Sequence, residues 1–300
     1  MSTNQLLIVA GVIVALLILP VIIALLVRLL IKDEPPEEED IADSVTDFTS
    51  IGDFWQGMAP HLLELRDRLV KCLLAVGVGA SLAFWAVNTP SILGKPLPNF
   101  MVDQLAPGTQ LQAIQVGEVF IGYMRIALVL GVALAMPVII YQLVAFFSPG
   151  LLPHEKRIVF TALPFVTQLF LAGLAFGWFI TVPAALQFLL NFGTITTVPT
   201  LDSFMGTVAT LLLWNGVIFE LPAVIFLLAR LGIVHTQMLA RTRRYALVII
   251  AIIAALITPT GDPYNLLLLA VPMYLLYELG ILLSRFVPKK KDNGAVAAAA

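Results

Sequence analysis

Charge is scarce in this chain. Asp, Glu, Lys and Arg make up 12% of its 300 residues, about half of the roughly 25% found in an average soluble domain. Cysteine is scarcer still: Cys72 stands alone, which excludes an internal disulfide and leaves no thiolate pair for metal or redox chemistry. The three histidines, His61, His154 and His235, lie far apart in the sequence. No phosphate-binding loop of the G-x-x-x-x-G-K-[ST] type occurs, since the only Gly-Lys pair, Gly94-Lys95, lacks the upstream glycine. Catalysis, nucleotide hydrolysis, a metal centre and a bound cofactor therefore find no support in the residues.

What is abundant is apolar surface. The chain is 60% hydrophobic with a mean hydropathy of +0.98, which defines an integral membrane protein. The net charge of −2 conceals an asymmetry: nine of the nineteen acids fall between Asp33 and Asp53, so the chain from Phe54 onward is basic.

Leu6 to Ile31 is an almost unbroken apolar run, longer than the roughly 20 residues that cross a bilayer. Its basic residues, Arg28 and Lys32, follow the run rather than precede it, unlike those of a signal peptide. We read residues 1–32 as a transmembrane helix with its N-terminus outside. The acidic, proline-interrupted stretch after it, from Asp33 to Asp40, neither packs nor stays helical, and residues 33–57 read as a cytoplasmic tether.

Six further spans are expected over residues 58–288: Leu69 to Val87, Val119 to Phe147, Ile158 to Leu190, Phe204 to Leu231, Tyr245 to Ile257 and Leu266 to Val287. A polar, Pro- and Gly-rich segment, Asn88 to Gly117, separates the first two, and Pro164 and Pro183 predict kinks in the third. The fifth has 13 residues, about 20 Å of helix against a hydrocarbon core of about 30 Å. The hairpin that follows it is expected to end below the outer interface, where it thins the membrane or is screened by its neighbours. Residues 289–300 form a basic, then Ala-rich tail. Most Lys and Arg collect on one side, in Met58 to Lys71, Pro149 to Arg157, Gly232 to Arg244 and the C-terminal tail, which places that side and the C-terminus in the cytoplasm.

Against this background a few charges carry the chemistry. In His61-Leu62-Leu63-Glu64-Leu65-Arg66-Asp67-Arg68-Leu69 the leucines recur at helical spacing, which fits an amphipathic interfacial anchor. Phe146-Phe147-Ser148-Pro149-Gly150-Leu151-Leu152-Pro153-His154-Glu155-Lys156-Arg157 breaks two spans on the same side. Its Pro and Gly are explained by stopping one helix and starting the next, which leaves Phe146 and Glu155 over. Glu220, in Phe219-Glu220-Leu221-Pro222, stands ten residues before Arg230, about 15 Å along a helix and near mid-membrane. A carboxyl there is costly to ionise and marks a polar patch. Arg125 and Glu278 lie closer to an interface; snorkelling accounts for the first, and a base at a helix end is expected to pair with the second.

These residues together resemble the TatC family, the multispanning receptor subunit of the twin-arginine protein translocase. The resemblance runs from about Pro60 to Pro288. It rests on His61 to Leu69, on Pro137-Val138-Ile139-Ile140-Tyr141-Gln142 leading into Phe146 to Arg157, on Phe219 to Pro222, and on Thr258-Pro259 with Asp262 followed by Pro272-Met273-Tyr274 and Glu278. It implies an all-α fold, a six-helix glove-shaped bundle in the cytoplasmic (inner) membrane, here with one extra N-terminal transmembrane helix. It implies a receptor rather than an enzyme, with no cofactor. In such a receptor a cytoplasmic site including Glu64, Arg66, Phe146 and Glu155 docks the paired arginines of signal peptides on folded cargo. Intramembrane polar positions, Glu220 with Asp262 and Arg125, face partner helices. The implied partners are TatA- and TatB-like single-span subunits and further copies of the chain in a larger complex, with no nucleic acid, and the implied energy source is the proton-motive force. The extra helix, its tether, Pro153 and Val144 depart from the family pattern. The alternative is a proton-coupled secondary transporter of a small solute using Glu220 and Arg125, although the spans show no internal repeat of the kind many such transporters carry.

Overall fold

The computed structural model describes residues 51–89, 95–150, 153–192, 198–258 and 262–287. The extra helix over Leu6 to Ile31, the acidic run and the 289–300 tail lie outside them. Among the described residues the chain is helical, with one isolated bridge between Gln112 and Thr200.

The first helix, α1, runs Ile51–Asn88, so residues 51–57, read above as tether, are helical. Its amphipathicity is inverted relative to a soluble helix. Leu62, Leu65, Leu69 and Leu73 are 45–71% exposed, whereas Glu64, Arg68, Gly79, Ala83 and Val87 form the stripe turned toward the protein. Lipid is as apolar as leucine, so the polar and small residues are the ones that seek protein partners.

A short helix follows, α2 (Leu97–Leu105), with Pro98 in its first turn. It occupies the segment read from sequence as a Pro-rich polar stretch; prolines at a helix start cost no hydrogen bond and pre-set φ. Helix α3 (Glu118–Phe147) begins after Gly117, whose φ of 98° suits glycine. The Glu118 carboxylate turns back to accept the N–H groups of Ile114 and Gln115 at 3.1 and 3.2 Å. Gly79 of α1 and Gly131 of α3 bring the two backbones together: a Cβ on Gly131 would lie 2.4 Å from the Ala80 nitrogen.

Phe146 and Phe147 end α3, and a single 3-10 turn, Ser148–Gly150, reverses the chain. Helix α4 (Pro153–Phe176) passes through a π segment, Gly177–Thr181, into α5 (Val182–Asn191). The wider turn sits just before Pro183, where an α-helical carbonyl would meet the proline ring. Helix α6 (Leu201–Phe219) is capped by Thr200, whose hydroxyl accepts the Ser203 N–H at 3.1 Å. It breaks at Glu220, and α7 (Leu221–Arg230) continues with Pro222 in its first turn. After α8 (Thr236–Arg241) come α9 (Arg243–Ile257) and α10 (Pro263–Ser284).

Among the described residues, five stretches are long and apolar enough to cross a membrane: Pro60–Asn88, Glu118–Phe147, Ala162–Asn191, Leu201–Arg230 and Pro263–Ser284. Helix α9 is the short sixth: its 15 residues reach about 22 Å. Helix α3 is the centre of the bundle, lying along α1, α4 and α6, while α10 packs on α7 and α9. The main core joins Ile126, Met205, Val208 and Leu211 with Leu269 and Met273, and a second core under the α3–α4 turn joins Ile140, Val144 and Val159 with Leu227.

Candidate functional site

The helix ends on the predicted cytoplasmic side carry a compact polar cluster. Arg68 donates to Glu64 one turn earlier, Nε to Oε1 at 2.8 Å and Nη2 to the same oxygen at 2.6 Å. Its third nitrogen, Nη1, donates across to Oε1 of Gln142 on α3 at 3.2 Å. One guanidinium therefore ties the first half of α1 to the last turns of α3. The pair is shielded but reachable, with Arg68 and Glu64 side chains 23% and 32% exposed. Oε2 of Glu64 accepts no hydrogen bond among the described residues.

Gln142 is buried, and Phe146 lies four residues further on, on the same face of α3. The Phe146 ring is half-buried and meets Phe147 edge-on at 5.3 Å between centroids. Phe147 packs on the second core. Glu155 sits in the first turn of α4, directly after the 3-10 reversal; its side chain lies outside the described residues. Arg66 turns away from the cluster and pairs with Asp67 at 2.8 Å on the exposed side of α1.

The polar residues deeper in the bundle are separate sites. Glu220 occupies the break between α6 and α7: its N–H reaches the Val217 carbonyl at 3.1 Å, and its own carbonyl accepts the Val224 N–H at 3.0 Å. Its side-chain Oε1 is buried without a hydrogen-bond partner among the described residues. Five residues before it, buried Asn215 donates to the Leu211 carbonyl at 2.7 Å and accepts from Thr181 at 3.2 Å. Arg125 binds Asp202 through Nη1, to Oδ1 at 2.8 Å and to the backbone oxygen at 3.0 Å, in space left by Gly206. Asp262 caps α10, accepting the Asn265 N–H at 2.7 Å and its amide at 2.9 Å. Glu278 is paired with Arg243, the first residue of α9: Nη2 donates to Oε2 at 2.8 Å, Nε stands 2.8 Å from Oε1 as an ion-pair contact without hydrogen-bond geometry, and Oε1 accepts from the Tyr274 hydroxyl at 3.2 Å. The expected helix-end base is thus Arg243.

Sequence reading did not single out Gln142, Asn215 or the Arg125–Asp202 pair. Gln142 carried a signal, a lone amide in an apolar span, but its partner is on another helix. No group of three or more His, Cys, Asp or Glu capable of holding a metal occurs among the described residues.

The fold and these sites define a multi-pass helical membrane protein. The family model described as Sec-independent protein translocase protein (TatC) matches residues 60–272. TatC from Desulforapulum autotrophicum is 38% identical over 80% of this chain and 88% of its own length. TatC from Deinococcus radiodurans is 39% identical over 78% and 89%, and that of Escherichia coli K12 is 35% identical over 79% and 92%. A crystal structure of the twin arginine translocase receptor TatC superposes with a TM-score of 0.65 at 32% identity, covering 76% of this chain and 100% of that one. The chain belongs to the TatC family of Sec-independent protein translocase proteins, a family of translocase components and not of enzymes.

Proposed function

We propose that this protein is the receptor and core subunit of a twin-arginine translocase, docking the paired arginines of signal peptides between Glu64, Phe146 and Glu155 at the cytoplasmic rim. The observation that carries the reading is Glu64: a half-buried carboxylate, held in place by Arg68, with Oε2 open among the described residues. A guanidinium offers a planar fork of N–H donors to such an oxygen, and a charge-assisted hydrogen bond is worth about 1.5–3 kcal/mol. Lysine presents a point charge without that fork. Phe146, one turn beyond Gln142, supplies an aromatic surface against which the peptide or an arginine stacks. Glu155 opens the helix that follows and takes the second arginine.

Glu220 is the contact for small TatA- and TatB-like single-span subunits, several copies of the complex assembling around it. A buried carboxyl oxygen without a partner is a site that a polar group on a neighbouring membrane helix satisfies, for roughly 1–2 kcal/mol. The receptor sits in the inner membrane with its C-terminus in the cytoplasm, supported by the basic residues Lys156, Arg241, Arg244 and Arg285 at helix ends of one side. Transport of folded cargo draws on the proton-motive force.

The reading is tested by expressing the chain in cells that lack their own twin-arginine receptor and following export of a folded reporter. Export that requires the paired arginines supports it. Export indifferent to Arg→Lys changes in the signal peptide overturns it.

A further inference from the structure

We infer that Arg68 is a specificity-determining residue, which by occupying Oε1 of Glu64 makes the docking site select a guanidinium over an ammonium. The inference rests on the receptor reading above and concerns the same site.

Three distances carry it. Nε and Nη2 of Arg68 both fall on Oε1 of Glu64, at 2.8 and 2.6 Å, rather than one on each oxygen. The usual fork-to-fork arrangement would engage both oxygens; this one uses both lone pairs of Oε1 and, among the described residues, leaves both lone pairs of Oε2 to accept. Nη1 is held by Gln142 at 3.2 Å, and Gln142 is itself buried, so the guanidinium is fixed from the α3 side and does not rotate to take the second oxygen.

Two consequences follow for an incoming cation. The Glu64–Arg68 pair is formally neutral, so its pull on a point charge at a distance is weak. What remains is directional: the lone pairs of Oε2, lying in the carboxylate plane and rewarding a donor that arrives in that plane. A guanidinium brings several N–H groups in one plane and satisfies Oε2 with one while leaving others for neighbouring acceptors. An ammonium gains chiefly from net charge, which Arg68 has cancelled. Without Arg68, Glu64 would present a full negative charge with both oxygens open, attractive to either cation. Arg68 gives up affinity for cations in general and gains discrimination, a use of repulsion that specific sites commonly make.

The test uses the full chain in lipid nanodiscs and two fluorescent signal peptides identical except for Arg-Arg or Lys-Lys at the paired position, with Kd measured for each at one fixed salt concentration. Wild type prefers the Arg-Arg peptide. In Arg68→Met the Lys-Lys peptide binds more tightly than to wild type, and the preference falls about tenfold, the order of one charge-assisted hydrogen bond. Arg68→Lys keeps the charge and restores part of the preference. Gln142→Leu, which leaves the ion pair but frees its far anchor, lowers the preference in the same direction by less. An unchanged preference in Arg68→Met, or equal weakening of both peptides, overturns the inference, because a merely structural role weakens both alike. If Arg68→Met does not insert, Gln142→Leu decides alone: a lowered preference supports the inference and an unchanged one overturns it. Failure of the receptor reading looks different, since wild type would then bind the two peptides equally.

Discussion

Gly79 and Gly131 lie where α1 crosses α3, so close that a Cβ on Gly79 would stand 2.5 Å from the Gly131 carbonyl oxygen. The crossing sets how near the first half of α1 comes to the last turns of α3, and therefore whether Arg68 reaches Gln142 at all. Backbone on both sides leaves nothing flexible to move aside. We expect Gly131→Ala to destabilise the protein by about 1–3 kcal/mol, the cost of overpacking a tight contact. Reversible unfolding in mixed micelles measures it. Gly77→Ala is the control, since a Cβ there meets nothing within 4 Å; it should leave stability unchanged or raise it by up to about 1 kcal/mol through helix propensity.

The Arg243–Glu278 pair joins the first residue of α9 to α10. Both side chains keep contact with solvent, 43% and 31% exposed, so its contribution is small. A double-mutant cycle with Arg243→Met and Glu278→Gln should give a coupling of about 1 kcal/mol or less. A coupling several times larger would mean that the pair is buried when the membrane is in place.

Helix α9 is too short to span. If its Arg243 end sits at the interface, Ile257 should lie about 8 Å short of the opposite boundary of the hydrocarbon. Spin labels at Ile257 and at Asn88, the end of α1, introduced in a Cys72→Ser background, report their depths by the balance of collisions with oxygen and with an aqueous relaxant. The Ile257 label is expected deeper. Equal depths at the two positions would show that the hairpin reaches the outer boundary.

Much of this arrangement was legible in the residues. The spans follow from apolar run length. Glu64 reads as a carboxylate standing by itself, and the fold instead ties it to Arg68, four residues on along the same helical face. The acid Glu278 in an apolar span called for a base at a helix end, and the fold shows it to be Arg243, 35 residues away. What stayed hidden is set by other helices. The leucines of α1 read as the apolar face of an interfacial anchor, but which residues turn to the protein did not show: the leucines face outward, and the polar and small stripe is the one that seeks protein. Arg125 and Asp202 lie 77 residues apart, and no local pattern joins them. The α2 helix was masked by Pro96 and Pro98, which read as loop until they are seen to start a helix. Gln142 and Asn215 are lone amides whose importance depends on which neighbour the fold delivers.

The docking site is tested most directly by photo-crosslinking a twin-arginine signal peptide to membranes containing wild type, Glu64→Gln, Phe146→Ala or Glu155→Ala, with insertion of each variant checked by protease protection. We expect each substitution to reduce crosslinking about tenfold or more, as loss of a charge-assisted bond or its aromatic support requires, while the protein still inserts. Crosslinking at the wild-type level in all three inserted variants would contradict the assignment.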